Sequence, residues 1–437
     1  MIKIKKTLAV LLSCIMVFTL FTGTVSALPA ADTSDPLAHT VELSDDADKY
    51  PFIFVHGMGG WGPADPFYAQ SPYWGGGLAM GTGIDLIQIL NENGVEAYAP
   101  SVGPLSSAWD RACELYAQLT GTVVDYGEAH SAAHNHDRFG KDFTGKAIMG
   151  EPWNFEDKIN LVGHSFGGET VRLFTSLMAF GSADEVAATG DETSELFTGG
   201  HSSVHSCITL SSPHNGSQVA NILVDPQITM FALSFVFNVM GALGMDDVMP
   251  FVLNLGHFGL TPKEGEDKAK FDLKKICDFF KAKDNCGYDM TLAGAAALNS
   301  TIKLDPNAYY YSYSTCATEE GIFGRQWATD TVNPIFKISS ILLALTQGMT
   351  IDGIKIEGDW AKNDGIVPLA SSLYPLCDAD TALDYEDSLA SGRIETGRWY
   401  YMDTMVGTDH FDFCGTQDYP TTFLDFYYGM VNMANGR

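Results

Sequence analysis

One serine of the chain has the neighbours that a nucleophile needs. Ser165 stands in the run Gly-His-Ser-Phe-Gly at residues 163–167. The apolar residues 159–163 before it predict a strand, and residues 167–173 after it predict a helix. In such a strand–turn–helix elbow the serine hydroxyl is exposed near the positive end of the helix, and the glycines let the helix approach the strand. A chance match in a glycine-rich chain is the alternative, but these flanks favour a nucleophile.

A serine hydroxyl attacks a carbonyl group only when a base takes its proton and a carboxylate holds that base. After an elbow of this type the acid comes first in the chain and the histidine second. Of the histidines that follow Ser165, His410 is the candidate base, because it lies near the C-terminus just after a predicted last strand. Asp364, in the run Asn-Asp-Gly-Ile-Val, is the candidate acid. Asp352 and Asp359 remain alternatives, since Asn-Asp-Gly is also ordinary turn chemistry.

Acyl transfer further requires N–H donors directed at the negative oxygen that develops in the transition state. The residue after the nucleophile, Phe166, supplies one backbone N–H in elbows of this type, and the loop after the first strand supplies the other. That loop is predicted at residues 56–61, His-Gly-Met-Gly-Gly-Trp, with the N–H of Met58 as the donor. His56 is interpreted as a residue that shapes this loop and not as the catalytic base.

A second group of residues could bind a metal ion. Asp110, His130, His134 and His136 place one carboxylate and three imidazoles within a short stretch. These groups are good zinc ligands, and a structural zinc site uses four ligands in a closed tetrahedron. A polar surface loop is the alternative that the spacing leaves open.

The elements around these residues alternate between β-type and helical patterns. Residues 51–55, 94–99, 159–163, 205–210, 308–314 and 399–405 are predicted strands, and residues 86–93 are a predicted helix. This alternation predicts an α/β fold with a mostly parallel sheet. Two stretches exceed a minimal α/β core, at about residues 101–154 and 217–300, and are predicted insertions above the carboxyl ends of the strands. The second contains an apolar run at 228–245, which is interpreted as a buried helix or a mobile lid, with a transmembrane helix as the weaker alternative because of its length and polar interruptions.

The ends and the charge of the chain add further limits. Three lysines, an apolar stretch and then Val-Ser-Ala predict a signal peptide at residues 1–27 and therefore secretion without a stable membrane anchor. Residues 28–49 are a predicted flexible lead-in, and residues 50–437 a single domain. The formal net charge of −29 argues against nucleic acid or an anionic membrane as a partner.

The sequence resembles a known family: the secreted true lipases of thermophilic bacilli and staphylococci, together with polyester-cleaving esterases of anaerobic bacteria. The most specific likeness lies at residues 102–119, Val-Gly-Pro-Leu-Ser-Ser-Ala-Trp-Asp-Arg-Ala-Cys-Glu-Leu-Tyr-Ala-Gln-Leu, and continues through residues 124–127 to His130. These sequence segments resemble the zinc subdomain of those lipases. The resemblance implies an α/β-hydrolase fold with an inserted zinc subdomain and a helical lid.

The resemblance implies the same triad that the residues alone indicate, Ser165, Asp364 and His410, and the same oxyanion donors, Met58 and Phe166. For zinc, the resemblance implies Asp110, His130 and His136 as ligands, and His257 is expected as the fourth because Gly256 stands where the family has an aspartate. For calcium, it implies Asp412 and Asp418. His134 is then a neighbour of the zinc site.

These inferences predict a secreted serine hydrolase of carboxylic esters, with a triacylglycerol lipase as the first expectation. Its expected substrate is a lipid or another hydrophobic ester, met at an oil–water interface. A short-chain carboxylesterase or a polyester hydrolase without interfacial activation is the alternative among enzymes. A non-catalytic secreted binding module on the same fold is the alternative outside them.

Overall fold

Seven short strands form one entirely parallel sheet. The computed structural model describes residues 37–65, 68–69, 71–76, 83–223, 254–261, 273–416 and 422–437. The strands of the sheet are, in spatial order, β13 (Leu383–Asp384), β14 (Trp399–Tyr401), β7 (Tyr309–Tyr313), β6 (Val204–Leu210), β5 (Ile159–His164), β1 (Phe52–Val55) and β2 (Ala97–Tyr98). The fold predicted from the sequence, a mostly parallel sheet flanked by helices, is confirmed.

Both faces of the sheet are covered, so its central strands are buried on each side. Alternate residues of β1 divide between two apolar clusters: Ile53 and Val55 belong to one, Phe52 and Phe54 to the other. The helices of the first face are α3 (Ala108–Thr120) and α5 (Gly167–Phe180), and those of the second are α2 (Leu86–Glu92) and α15 (Phe423–Asn435). The remaining helices are α1 (Tyr73–Gly76), α4 (Glu128–His134), α6 (Ala183–Thr189), α7 (Glu195–Thr198), α8 (Gln218–Leu223), α9 (Leu273–Lys281), α10 (Cys286–Asp289), α11 (Leu292–Asn299), α12 (Lys337–Thr346), α13 (Leu369–Ser372) and α14 (Tyr385–Ala390).

The order of the strands reverses beside β1. From β1 the chain adds β2 on one side, and then returns to place β5, β6 and β7 on the other side. At such a reversal the loops leaving the two neighbouring strands diverge, which opens a crevice at their carboxyl ends. The loop after β1 contains Met58, and the turn after β5 contains Ser165.

Small antiparallel pairs complete the described structure. They are β3 (Val123–Asp125) with β4 (Phe139–Asp142), β9 (Thr318–Glu320) with β10 (Gln326–Ala328), and β11 (Thr350–Ile351) with β12 (Ile354–Lys355). The strand predicted at 399–405 divides in two, because only β14 joins the large sheet, whereas β15 (Met405–Val406) pairs in parallel with β8 (Thr315–Cys316).

The two predicted insertions are described to different extents. Residues 101–154 contain α3, the pair of β3 and β4, and α4. Of residues 217–300, the structure describes α8, residues 254–261 and α9 to α11, whereas the apolar run at 228–245 lies outside the described residues, as does the predicted signal peptide. Within the described ranges, no helix combines the length and apolar character needed to cross a membrane.

Candidate active site and metal site

Ser165 occupies a sharp turn between β5 and α5. Its φ angle is +53°, a conformation that costs free energy for any residue with a side chain. The neighbouring glycines make the turn possible, because a Cβ atom on Gly163 would lie 2.4 Å from the carbonyl oxygen of Gly167. A Cβ atom on Gly167 would lie 2.2 Å from the carbonyl oxygen of Val55 in β1. The serine is thereby held at the start of a helix that packs directly on the sheet.

His410 connects the serine to a carboxylate. Its Nε2 atom lies 2.8 Å from Oγ of Ser165, and its Nδ1 atom lies 2.8 Å from Oδ2 of Asp364. The Asp364 carboxylate also accepts hydrogen bonds from the backbone N–H groups of Ile366 and Val367, at 3.0 and 2.7 Å. Because these donors fix the carboxylate, the imidazole ring is fixed as well. The structure thus brings together the three residues that the sequence selected.

The two alternative acids lie elsewhere. Asp352 accepts a hydrogen bond from the side chain of Asn221 at 2.7 Å in an exposed setting. Asp359 pairs on the surface with Lys362, 2.9 Å away. Neither carboxylate is placed to orient the imidazole of His410, whose Nδ1 already faces Asp364.

The loop after β1 lies against the serine. A Cβ atom on Gly57 would stand 2.7 Å from Cβ of Ser165, so only glycine allows this approach. The next residue, Met58, has an exposed side chain, and the Gly59 N–H is held by the carbonyl oxygen of Pro104 at 2.9 Å. Burial, with a contribution from a nearby arginine charge, lowers the pKa of His56 to about 3, so this imidazole is neutral.

A buried tyrosine and histidine connect this loop to His410, and the sequence reasoning missed them. The hydroxyl of Tyr73 accepts from the Gly57 N–H at 3.0 Å and lies 2.7 Å from Nδ1 of His164. Nε2 of His164 in turn lies 2.8 Å from the carbonyl oxygen of His410. Because a carbonyl only accepts, Nε2 carries the proton of a neutral ring, and burial lowers the pKa of His164 well below its usual value. The position of His164 directly before the nucleophile is the one signal that could have indicated it.

Four side chains, one of them from α3, form a candidate metal site. One ligand atom from each of Asp110, His130, His136 and Asp284 lies within 4.8 Å of all the others. Nε2 of His130 is 3.3 Å from Asp110 Oδ1 and 3.4 Å from Asp284 Oδ2, and Nε2 of His136 is 4.0 Å and 3.3 Å from the same two oxygens. A regular tetrahedron with zinc–ligand bonds of about 2.0–2.1 Å has edges of about 3.3–3.4 Å. The spacing of the four atoms therefore fits a small tetrahedral cation.

The same four atoms are buried without a hydrogen-bond partner. Buried polar atoms without partners are rare in native structures, and a bound ion is one of the reasons for them. Burial alone would lower the pKa of His130, but the carboxylates of Asp110 and Asp284 outweigh it and raise this pKa to about 10. The pair of carboxylates thus creates a strong demand for positive charge, which a divalent cation would meet.

Comparison with known proteins identifies the family of the chain. The pattern of the family described as "Lipase-like, C-terminal domain" matches residues 48–433. The chain belongs to this family. It is 34% identical over 398 residues to Lipase 2 of Staphylococcus aureus, a match that covers 89% of this chain and 53% of the relative. The chain therefore spans about half the length of the curated relatives it matches.

Two solved structures resemble this family member along most of its length. EstA from Clostridium botulinum superposes with a TM-score of 0.75 at 32% identity, covering 92% of this chain and 90% of that one. Staphylococcus hyicus lipase superposes with a TM-score of 0.72 at 31% identity, covering 91% and 98%. The resemblance recognised in the sequence is thereby confirmed.

In this lipase-like domain Asp284 occupies the fourth place that was expected for His257. Nε2 of His257 lies 3.1 Å from Oδ2 of Asp110, and its Nδ1 lies 3.3 Å from the hydroxyl of Tyr126. His257 thus faces the oxygen of Asp110 that points away from the group, where it can orient this carboxylate. The ring of His134 lies beside that of His130, with centroids 4.5 Å apart and planes inclined by 38°, and His134 stays outside the four.

Only half of the expected calcium pair can be located. Asp412 is buried, and its carboxylate accepts from the Asp409 N–H at 2.7 Å and from the Thr416 hydroxyl at 3.0 Å. Asp418 lies outside the described residues. Burial, together with the charge of Asp409, raises the pKa of Asp412 to about 8.

Proposed function

We propose that this protein is a secreted carboxylic ester hydrolase in which Ser165 is the nucleophile, and that esters of hydrophobic acyl chains, such as triacylglycerols, are its substrates. The observation that carries the proposal is the continuous path from Ser165 through His410 to Asp364, with both links at 2.8 Å. Membership in a lipase-like family and the similarity to Lipase 2 and to Staphylococcus hyicus lipase support the choice of ester bond.

The proposed reaction proceeds through an acyl-enzyme. Nε2 of His410 takes the proton of Ser165 as its Oγ bonds to the ester carbonyl carbon, and the carbonyl oxygen becomes negative. The N–H groups of Met58 and Phe166 bind that oxygen. When the intermediate collapses, the C–O bond to the alcohol breaks and His410 protonates the departing oxygen. Water then attacks the acyl-enzyme with His410 again as base, releasing the acid and restoring Ser165. Asp364 holds the imidazole throughout.

We further propose that the four-residue group binds zinc, with Asp110, His130, His136 and Asp284 as ligands. Two imidazoles and two carboxylates are a donor set that zinc accepts, and such a closed set suits a structural ion. Bound there, zinc would cross-link α3 and α4 to the segment before α10. Calcium near Asp412 and Asp418 is a separate proposal, which a calcium-dependent melting temperature would support.

The remaining proposals concern location and access to the site. Export by a signal peptide at residues 1–27 would place the enzyme outside the cell. A lid within residues 217–300 would explain a preference for substrates at an interface. Neither is needed for the reaction at Ser165.

Hydrolysis of a series of esters tests the function. We expect measurable turnover of p-nitrophenyl esters that Ser165→Ala loses completely, while the variant keeps its melting temperature. For a lipase, activity should increase with chain length and rise when the substrate exceeds its solubility limit. Activity confined to short soluble esters would favour the carboxylesterase alternative, and hydrolysis of polyester films without such a rise would favour the polyester hydrolase. Retained activity of Ser165→Ala would contradict the assignment.

A further inference from the structure

Arg111 is a fully buried cation directly beside the active-site loops. It follows Asp110 in α3 and has no exposed surface. An arginine guanidinium keeps its charge in proteins and has five N–H donors to satisfy. Taking such a charge out of water costs free energy unless its donors are satisfied, so the partners of this side chain indicate why it is there.

Its donors hold backbone carbonyl groups of two loops. One guanidinium nitrogen, Nη2, donates to the carbonyl oxygen of His56 in a short hydrogen bond. The other, Nη1, donates to the carbonyl oxygens of Gly57 at 3.3 Å and Gly103 at 3.2 Å. Nε donates to the hydroxyl of Thr170 in α5 at 3.0 Å. One side chain thus joins the loop after β1, the loop after β2 and the helix that follows the nucleophile.

These contacts determine where the proposed oxyanion donor points. The carbonyl of Gly57 and the N–H of Met58 belong to one planar peptide group, and every described peptide is trans. In a trans peptide the C=O and N–H bonds point in opposite directions, so a Gly57 oxygen held toward Arg111 directs the Met58 N–H away from it. The Gly57 oxygen also accepts hydrogen bonds from Nδ1 of His56 at 2.9 Å and from the Gly60 N–H at 3.2 Å. These bonds further restrict the orientation of this peptide group.

The second donor is reached by the same side chain. The guanidinium carbon of Arg111 lies 5.3 Å from the centre of the Phe166 ring, and Thr170, which accepts from Nε, donates in turn to the carbonyl oxygen of Phe166 at 3.3 Å. Arg111 therefore contacts the elements that carry both proposed oxyanion donors. It has no described contact with Ser165 or His410.

We propose that Arg111 is a positioning residue for the oxyanion hole, which aligns the N–H groups of Met58 and Phe166 before the substrate arrives. This inference rests on the proposed function. Preorganised donors act mainly on the transition state, and loss of a single donor lowers kcat by about 10²–10³-fold. Misalignment of a donor should cost part of that factor and should leave ground-state binding, and hence KM, nearly unchanged.

The test compares two equally buried arginines. Arg111→Lys keeps the charge and loses the forked geometry. Arg172→Lys is the matched control, because Arg172 lies on α5, is also buried, and donates to Asn299 at 2.9 Å instead of to the oxyanion loop. We expect Arg111→Lys to lower kcat on a soluble ester by about tenfold or more, with KM within about twofold of the wild-type value. Phenylboronic acid forms a tetrahedral adduct on the serine, and its binding should weaken by a similar factor. Arg172→Lys should change the melting temperature without these effects.

A second variant makes the test independent of folding. Thr170→Val removes the acceptor of Arg111 Nε with almost no change of shape, and we expect a severalfold fall in kcat and in phenylboronic acid affinity at constant KM. Should Arg111→Lys not fold, an unchanged kcat in Thr170→Val overturns the inference. Wild-type kcat and inhibitor affinity in folded Arg111→Lys overturn it as well. These outcomes require an active wild type; a wild type without ester hydrolysis would contradict the proposed function itself and remove the inference with it.

Discussion

Replacement of Asp284 is expected to abolish high-affinity metal binding, whereas replacement of His257 is not. In the structure Oδ2 of Asp284 lies 3.4 and 3.3 Å from the two imidazole nitrogens, close to the edge of about 3.3–3.4 Å expected for a zinc tetrahedron, while His257 faces the outer oxygen of Asp110. A residue that only orients a ligand typically contributes about 10–100-fold in metal affinity. We therefore expect His257→Gln to weaken zinc binding by about that factor and Asp284→Ala by more.

Competition against a fluorescent zinc indicator measures these affinities, and elemental analysis of the purified proteins measures occupancy. The wild type and His257→Gln should contain about one zinc ion per chain at saturating metal, and Asp284→Ala should contain almost none. Asp289→Asn is the matched control, because this nearby buried carboxylate accepts from the Ala108 N–H at 2.8 Å and lies outside the group. A zinc content that is full in Asp284→Ala and lost in His257→Gln would refute the assignment of the fourth ligand.

Asp364→Asn should lower kcat by about 10⁴-fold with little change in stability, because the amide can impose the wrong tautomer on His410, as steady-state kinetics and thermal unfolding would show. Burial is the main cause that raises the pKa of Glu169 to about 7 from 4.5, so the folded state keeps this proton at a higher pH than the unfolded state does. The free energy of unfolding should therefore fall between about pH 4.5 and 7, by about 3 kcal/mol in total. Urea titrations across this pH range should show the fall in the wild type and its loss in Glu169→Gln. Gly167→Ala should lower the free energy of unfolding by about 1–3 kcal/mol or prevent folding, because its Cβ would lie 2.2 Å from a carbonyl oxygen of β1. Gly429→Ala in α15 should raise the free energy of unfolding by about 0.5–1 kcal/mol, because no atom lies within 4 Å of the added Cβ. Denaturant midpoints measure both changes.

The sheet and the grouping of Ser165, His410 and Asp364 could be predicted because their signals are local or depend on chain order. The strands β5 and β6 are largely apolar segments, so the sequence located both to within a residue at each end. The order of serine, acid and histidine, with the position of His410 just after a predicted last strand, reduced the choice of the base to His410. The end of the last sheet strand was misplaced, since the residues after Tyr401 continue a β-like pattern but pair with β8 instead.

The contacts between distant segments could not be predicted in the same way. Asp284 joins the candidate metal site from more than 140 residues beyond His136, and a lone aspartate between a lysine and an asparagine carries no sign of that position. His257 was preferred because it stands close to a family position. The buried partners Tyr73 and Arg111 likewise depend on the way the loops meet above the sheet, which no periodicity encodes.

Covalent labelling with a fluorophosphonate tests whether Ser165 is the nucleophile, because the reaction requires an activated serine and the adduct identifies its position. Mass spectrometry of the labelled protein should show one adduct per chain on the peptide that contains Ser165, no adduct in Ser165→Ala, and much slower labelling in His410→Ala. An adduct on another residue, or an unlabelled folded wild type, would contradict the assignment of Ser165 as the nucleophile.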